Sequence, residues 1–281
     1  METRELRYFV AVAEEANVGR AADRLGIAQP PLSRAIARLE RRLGATLFDR
    51  TPRGMDLTDA GLTLLREGRV ALAAMEAAER RTRRTAQTPG ESRIVLTAKP
   101  GSAGEVMVKL LDAYAAEPDA VDVEVVFSPP RHQALMLRDG RADVALLHRP
   151  FDDLSGFDVE TLLVEDQVVI VPAGHPASQR TSMTEAEARS ISDLPCPRWP
   201  EIDGSYPDGP GPEMRDLTQM VQLVRLGRTA IVLPESVQAY VRDGVAVVSL
   251  VDAPRVTTVL AWPPHSTSVG VAGLARTAAR L

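Results

Sequence analysis

The sequence predicts a multidomain α/β chain: a helical head, one long helix, and a larger body of alternating strands and helices. Three observations predict it. Residues 18–37 carry small residues and a glycine at the spacing of two helices joined by a tight turn. Residues 58–87 are rich in Ala, Leu, Glu and Arg and contain no proline. After residue 90, short β-branched runs alternate with helical periodicity, which favours sheets covered by helices. The expected divisions are a head over 1–58, a linker helix over 59–90, and a body over 91–281.

In the head, Leu6, Phe9, Val10 and Ala13 give residues 3–16 one buried helical face. Asn17 is a good N-cap for a second helix over 18–25, with Ala21, Ala22 and Leu25 inward and Gly26 as the stop. Gln29-Pro30-Pro31 opens a third helix, because proline is tolerated where backbone N–H groups have no intrahelical partner. Leu32, Ile36, Leu39 and Leu43 form its expected inner face, and Gly44 ends it. Short extended segments at 46–50 and 55–58 flank the turn Thr51-Pro52-Arg53-Gly54. The 58–87 helix should extend about 45 Å. Leu62, Leu65, Leu72 and Met75 are its expected seam, one that a partner helix would cover.

In the body, strands are expected at 94–97, 121–127, 142–147, 159–164, 167–171, 230–233, 245–250 and 257–262. Helices are expected around Met107–Tyr114, over 130–138, from Met214 to Val224, at 235–241 and over 268–280, with a Pro/Gly-rich loop at 195–212. The alternation predicts parallel sheets.

Composition narrows the function. Of 281 residues, 44% are hydrophobic and 25% charged, which suits packed cores and excludes a disordered chain. No apolar run is long enough to span a bilayer, and METRELRYFV lacks the pattern of a secretory signal. Cys196 is the only cysteine, so no internal disulfide or cysteine-based zinc site can form. A cytoplasmic protein without membrane association is expected. The net charge of −5 is unevenly divided: residues 1–90 hold 16 arginines against 12 acidic residues, and the remainder is acidic. A basic head on an acidic body suits a polyanion at the head alone.

Within 18–37, Ala22 sits where two helices would cross and Gly26 takes the turn. Gln29, Ser33, Arg34, Ala37 and Arg38 are left facing outward on the third helix. Gln can read adenine and Arg guanine in the major groove, while Ser can hold a phosphate. The competing reading is an ordinary helical hairpin with a solvated arginine face.

These residues resemble the N-terminal domain of LysR-type transcriptional regulators. The resemblance is carried by Leu6-Arg7-Tyr8-Phe9-Val10-Ala11-Val12-Ala13-Glu14-Glu15, Arg20-Ala21-Ala22-Asp23-Arg24-Leu25, Gln29-Pro30-Pro31-Leu32-Ser33-Arg34-Ala35-Ile36, Leu39-Glu40, Leu43-Gly44, Leu47-Phe48-Asp49-Arg50 and Leu57-Thr58-Asp59-Ala60-Gly61. More weakly it covers the whole chain. It implies a winged helix-turn-helix, a linker helix, and a two-lobed α/β effector domain of periplasmic-binding-protein type, with lobe 1 at 91–162 plus 260–281 and lobe 2 at 163–259. It implies a homodimer or homotetramer that binds an interrupted palindrome of double-stranded DNA and responds to a small-molecule effector, with RNA polymerase as a further candidate partner. Gln29, Pro30, Ser33 and Arg34 match the family's recognition-helix contacts, to which the outward Arg38 is added, and Arg50, Thr51 and Arg53 match its wing. Ala16-Asn17-Val18-Gly19 departs from the family pattern. So does the proline-rich 196–212 stretch, which leaves the second wall of the cleft undefined.

No phosphate-binding loop, dinucleotide fingerprint, zinc-protease motif or nucleophile elbow occurs. His132, His148, His175 and His265 are far apart, and neither metal nor cofactor nor catalysis is expected. Gly101-Ser102-Ala103-Gly104 reads as a loop feeding a helix N-terminus, a place suited to an anion. Lys99, one of two lysines, ends the first strand of the body, where open α/β sheets bind ligands. Lys99, Gly101, Ser102 and Ser128 on one wall, with Arg198 and Trp199 on the other, are the expected effector contacts, for a small organic anion. The alternatives are a solvent-exposed Lys99 and a Trp199 that anchors the proline loop. Two functions from different classes follow: a ligand-responsive transcription factor, or a small-molecule-binding protein or enzyme whose N-terminal helices serve only assembly.

Overall fold

The structure is a computed structural model, and it describes the chain except Pro52, Arg53, 88–92, Ser102, Ala103, Arg242 and the side chains of Arg50, Thr51, Thr85, Gln87 and Leu217. The chain forms two compact units, residues 1–83 with 138–140 and residues 84–137 with 141–281.

The first unit begins with α1 (Thr3–Glu15), α2 (Val18–Leu25) and α3 (Gln29–Leu43). Asn17 caps α2 by accepting from the Arg20 backbone N–H, and Gly26 leaves it at φ +67°. Phe9, Val12, Ala21, Leu32 and Leu39 are fully buried at the centre of the three helices. Ala21 and Ala22 let α2 approach α3 closely, because a larger side chain would hold the helices apart. Leu43 departs from the expected inner face. It is exposed on the rim of an apolar depression of about 410 Å³ that Leu47, Ala60 and Leu64 also line.

A hairpin follows, β1 (Phe48–Thr51) paired antiparallel with β2 (Gly54–Leu57), and then α4 (Asp59–Gln87). Three short polar contacts join these pieces. Glu40 on α3 accepts from the backbone N–H of Leu47 at 2.8 Å. The Thr58 hydroxyl donates to the Thr46 carbonyl and accepts from the Gly61 N–H, capping α4. Gly61 lies against the Leu47 carbonyl so closely that a Cβ there would overlap it.

α4 lies along α1 of the same chain, so part of the expected seam already has a cover within the chain. Leu65 and Leu72 are half-buried against the head core. Gly68 admits the Leu6 side chain, and Met75 Sδ accepts from Thr3 Oγ1 at 3.3 Å. Positions 65, 68, 72 and 75 follow the spacing of one helical face, and α1 takes that face at 65, 68 and 72, while Met75 stays 44% exposed. Leu62 and Val70, exposed at 53% and 61%, lie outside it.

The second unit holds two sheets. The first is built from β3 (Arg93–Ala98), β4 (Asp122–Phe127), β5 (Val144–Arg149), β6 (Asp158–Glu165) and β11 (Val256–Trp262), in the order β4-β3-β5-β11-β6. Helices α5 (Gly104–Ala115) and α9 (Val269–Ala278) cover one face, and α6 (Gln133–Arg138) covers the other. The second sheet has the order β8-β10-β7-β9, from β7 (Gln167–Pro172), β8 (Ser182–Met183), β9 (Ile231–Pro234) and β10 (Val245–Leu250). Helices α7 (Glu185–Arg189) and α8 (Leu217–Arg225) belong to this lobe.

The expectation of parallel sheets holds for β3, β4 and β5 and for the short β8–β10 pair. β11 runs antiparallel to both β5 and β6, and β7 runs antiparallel to β9 and β10. The cause is a double crossing: the chain leaves the first sheet from β6 into β7 and returns from β10 into β11. The whole of β11 therefore belongs to the first lobe, which ends lobe 2 near residue 250 instead of 259. The helix expected at 130–138 begins only at Gln133, after Pro129, Pro130 and a left-handed Arg131. Met214 is buried but precedes α8, its carbonyl accepting from the Tyr206 hydroxyl.

Two glycine substitutions separate close approach from backbone conformation. Gly61→Ala must push the Leu47 backbone aside and should destabilise the first unit by about 1–3 kcal/mol. Gly26→Ala has open space around it and pays only for its left-handed backbone, about 1 kcal/mol. Urea titrations followed by circular dichroism should rank Gly61→Ala as the more damaging change.

Candidate nucleic-acid face and ligand seam

On α3, Gln29, Pro30, Arg34, Ala37, Arg38 and Arg41 are exposed and Ser33 is half-buried. Positions 30, 34, 37, 38 and 41 repeat at helical spacing and form one stripe. Several other arginines of this unit are paired internally. Arg24 pairs with Glu14 and Glu15, Arg42 with Glu5 at 2.6 Å, Arg69 with Glu14 at 2.8 Å, and Arg20 with Glu15. Hydrogen bonds from Arg42 hold the Glu5 carboxyl below its ordinary value. Burial raises Glu14, but its bonds to Arg69 and Arg24 outweigh that and lower it. Among the described residues, Arg34, Arg38 and Arg41 meet no carboxylate. The paired cations flank the head and are neutralised there, whereas those on the α3 stripe are left for an external anion. Arg41 was not among the expected contacts, although its spacing of seven from Arg34 marks the same face. The wing candidates lie beyond description: the side chains of Arg50 and Thr51 and the whole of Arg53 are outside the described residues.

In the second unit, the carboxyl ends of β3, β4 and β5 form one edge and bring Lys99, Gly101 and Ser128 together; Ser102 is outside the described residues. Lys99 pairs with Asp152 at 2.8 Å, and Asp152 also accepts from the His148 backbone N–H. Asp152 is only 3% exposed. Burial pushes its carboxyl up, but the His148 ring and the Lys99 charge outweigh that and hold it at about 2. Burial pushes the His148 imidazole below its usual value, so the ring is neutral at pH 7. Its Nδ1 lies 3.5 Å from Asp152 Oδ2. Ser128 is buried, sharing hydrogen bonds with Thr97 at 2.9 Å and Gln133 at 2.8 Å.

The opposite wall differs from the expectation. Arg198 donates to the Gly211 and Pro207 carbonyls and pairs with Glu213, so its guanidinium holds the proline loop together. Trp199 packs against the core of the second lobe beside Met214 and Val224. Two groups that were not among the expected contacts reach across instead. Glu201 pairs with Arg131 of the first lobe. The Tyr240 hydroxyl lies against the start of α5, occupying the space a Cβ at Gly104 would fill. No sequence signal marked Arg131: a Pro129-Pro130 pair is compatible with a helix start, as at Pro30-Pro31, and it is the left-handed Arg131 that delays α6 to Gln133.

The Asp152 carboxyl fixes a pH dependence. Its folded value lies below the unfolded one, so its stabilisation is complete above about pH 4 and lost as the pH falls toward 2. The loss is about 2–3 kcal/mol. His148 acts in the same direction near its own ordinary value, because protonating it inside the fold is unfavourable. Urea midpoints between pH 2 and 7 should fall on acidification, and Asp152→Asn should flatten the segment below pH 4.

Residues 3–62 match the family model described as "Bacterial regulatory helix-turn-helix protein, lysR family", and residues 87–279 match "LysR substrate binding domain". The transcriptional regulator AlsR of Bacillus subtilis is 34% identical over 206 residues, spanning 72% of this chain and 67% of its own. The regulator IlvR of Caulobacter vibrioides is 29% identical over 98% of this chain and 97% of its own. Among solved structures, the oxidized form of OxyR from Corynebacterium glutamicum superposes at a TM-score of 0.53, with 25% identity, 99% of this chain covered and 90% of that one. The curated relatives are regulators and not enzymes. The basic helix-turn-helix head and the two-lobed body are thus the two matched halves of one design, and the chain belongs to the LysR family of DNA-binding transcriptional regulators.

Proposed function

We propose that this regulator works in the cytoplasm as a homodimer, or as a tetramer of two such dimers, on an interrupted palindrome, and that a small organic anion at the lobe seam sets its activity. The observation that carries the DNA reading is the stripe Arg34, Arg38 and Arg41, which meets no carboxylate among the described residues while Arg20, Arg24, Arg42 and Arg69 are paired within the head. A recognition helix of this length fits the major groove, its early residues reaching base edges and its later ones the phosphates. Gln29, Ser33 and Arg34 are the base-reading set, and Arg38 and Arg41 hold the backbone; Pro30 keeps the first turn in register. Arg50, Thr51 and Arg53 remain the wing contacts by their place in the sequence. Two copies would meet through the exposed side of α4, where Leu62 and Val70 face solvent, because α1 already covers Leu65 and Leu72. RNA polymerase is the partner through which the bound dimer would act on transcription.

The anion reading is supported by Lys99 and the start of α5 at one strand edge, with Arg131 on the next loop. A ligand that binds one arrangement of the lobes better than the other would shift the population of that arrangement and so change the DNA-bound form.

Gel-shift titrations on DNA upstream of its own gene, at several salt concentrations, test the DNA reading. A sequence-preferring, salt-sensitive shift is expected, and its absence would sink the proposal. Arg34→Ala should cost about 1–3 kcal/mol on the preferred site and relax the preference at one base pair. Arg41→Ala, two turns further along, should weaken all sequences alike and lower the salt slope by about one unit. Leu62→Asp with Val70→Asp should dissociate the dimer in sedimentation and leave the head folded. Leu65→Asp with Leu72→Asp should unfold the head itself, since those side chains sit on its core.

A further inference from the structure

We propose that Arg131 is the anchor for the effector's carboxylate, and that Glu201 occupies it as an internal stand-in when no effector is bound. The proposal rests on the anion reading above and names the residue that would carry it.

The cations around the seam divide by what neutralises them. Lys99 is matched within its own lobe by Asp152, a carboxylate almost wholly removed from water. Separating that pair would leave a buried charge alone, which is strongly unfavourable. Arg198 is matched within the other lobe by two carbonyls of its own loop and by Glu213. Either would have to give up partners inside its own lobe to turn fully to a ligand. Arg131 is different. Its carboxylate partner, Glu201, belongs to the opposite lobe, and both side chains are about half exposed. An exposed pair of this kind contributes little to stability, so a competing carboxylate can displace it.

The backbone prepares Arg131 for the task. It follows β4, at the carboxyl edge where open α/β sheets take ligands, and stands between Pro130 and the start of α6 at φ +67°. A side chain in that conformation is unfavourable and survives where the surroundings fix it. Here Pro129 and Pro130 precede it, and His132 Nδ1 lies 3.0 Å from the Pro130 carbonyl. The guanidinium is thereby projected out of the loop toward the second lobe. Its planar fork suits a carboxylate better than an ammonium would.

The second lobe supplies two oxygens to the ligand side of the first: the Glu201 carboxylate on Arg131 and the Tyr240 hydroxyl at the start of α5. A negative group and a hydroxyl, placed on a guanidinium and on a helix N-terminus, have the chemistry of a small hydroxy- or aromatic carboxylate. The effector would enter by replacing Glu201 on Arg131.

Calorimetry on the full-length chain tests this, with benzoate and succinate as carboxylate probes and benzamide as the uncharged control. Glu201→Gln should tighten at least one carboxylate about tenfold by vacating Arg131. Arg131→Gln should weaken it at least tenfold, in the wild-type and in the Glu201→Gln background, while benzamide responds to neither change. Arg131→Glu combined with Glu201→Arg should keep the wild-type melting temperature, which shows that the loops still fold, yet should not regain carboxylate binding on the first lobe. A carboxylate that binds Arg131→Gln as tightly as wild type, or Glu201→Gln no more tightly, overturns the anchor and leaves the anion reading standing. If neither probe binds wild type or Glu201→Gln, the anion reading falls and the anchor with it, while the DNA titrations still judge the regulator.

Discussion

The second unit depends on the double crossing of the chain between its lobes. Going out, Glu165 ends β6 and Gln167 begins β7; coming back, the chain passes from β10 to β11 through residues 251–255. The two passages are tied together. Asp166 pairs with Arg255 at 3.0 Å, Gln167 Nε2 donates to the Pro254 carbonyl at 2.7 Å, and the Asp166 carbonyl accepts from the Glu235 N–H. The buried Glu165 carboxylate accepts from both the backbone and the hydroxyl of Ser236 at the edge of the second lobe. Two strands cannot be twisted independently when they are joined this way. The two passages therefore form one cross-linked junction between the lobes. The antiparallel β11, the mixed second sheet and the position of the seam all follow from this one constraint.

The first unit follows a different rule, close approach. Its pieces are small, and the polar links between them are short: Glu40 to Leu47, Thr58 to Thr46, and the glycine at 61 against a carbonyl. With the hairpin and the start of α4 fixed to α3, the orientation of the recognition stripe is set by backbone atoms. Charge pairing then decides what the stripe can do. Glu14 takes two arginines and Glu5 takes one, so these acidic residues of α1 quench the flanks of the head and neither reaches Arg34, Arg38 or Arg41. The modest excess of positive charge in the composition understated the effect, because net charge counts the quenched arginines equally with the open ones.

Most of the fold was legible. Asn17, Gly26, the Pro30-Pro31 pair and Gly44 mark their helix boundaries by local chemistry, and the structure uses each where the sequence put it. What failed had a nonlocal cause. Strand direction in the second unit is set by the crossings, which alternation alone does not reveal. The seam on α4 was real as a stripe, but the sequence does not say whether a second chain or α1 covers it. Strand β8 and helix α7 were missed, although Thr184-Glu185-Ala186-Glu187 is a capping box that the structure shows with both hydrogen bonds formed. For the candidate site, residue type gave the positions along the strand edge but not their partners. Lys99 and Arg198 looked alike as cations, and only their burial and pairing separate them from Arg131.

That separation bears on how a small molecule could move the lobes. A ligand shifts an equilibrium only by the difference in its affinity for the two forms, and a tenfold bias needs about 1.4 kcal/mol. A contact that is buried within one lobe exists in every arrangement of the lobes and contributes no difference, however strong it is. The Lys99–Asp152 pair is of this kind: it supports the strand edge and its acid stability. A contact that crosses the seam exists in one arrangement and not the other, so even a weak one enters the difference in full. Arg131 with Glu201 and Tyr240 with the start of α5 cross the seam away from the junction strands, and both are exposed enough for solutes to reach. The buried Lys99–Asp152 pair is thus poorly placed to carry a signal, and the weak surface pair at the proline-backed loop is the better placed to carry one.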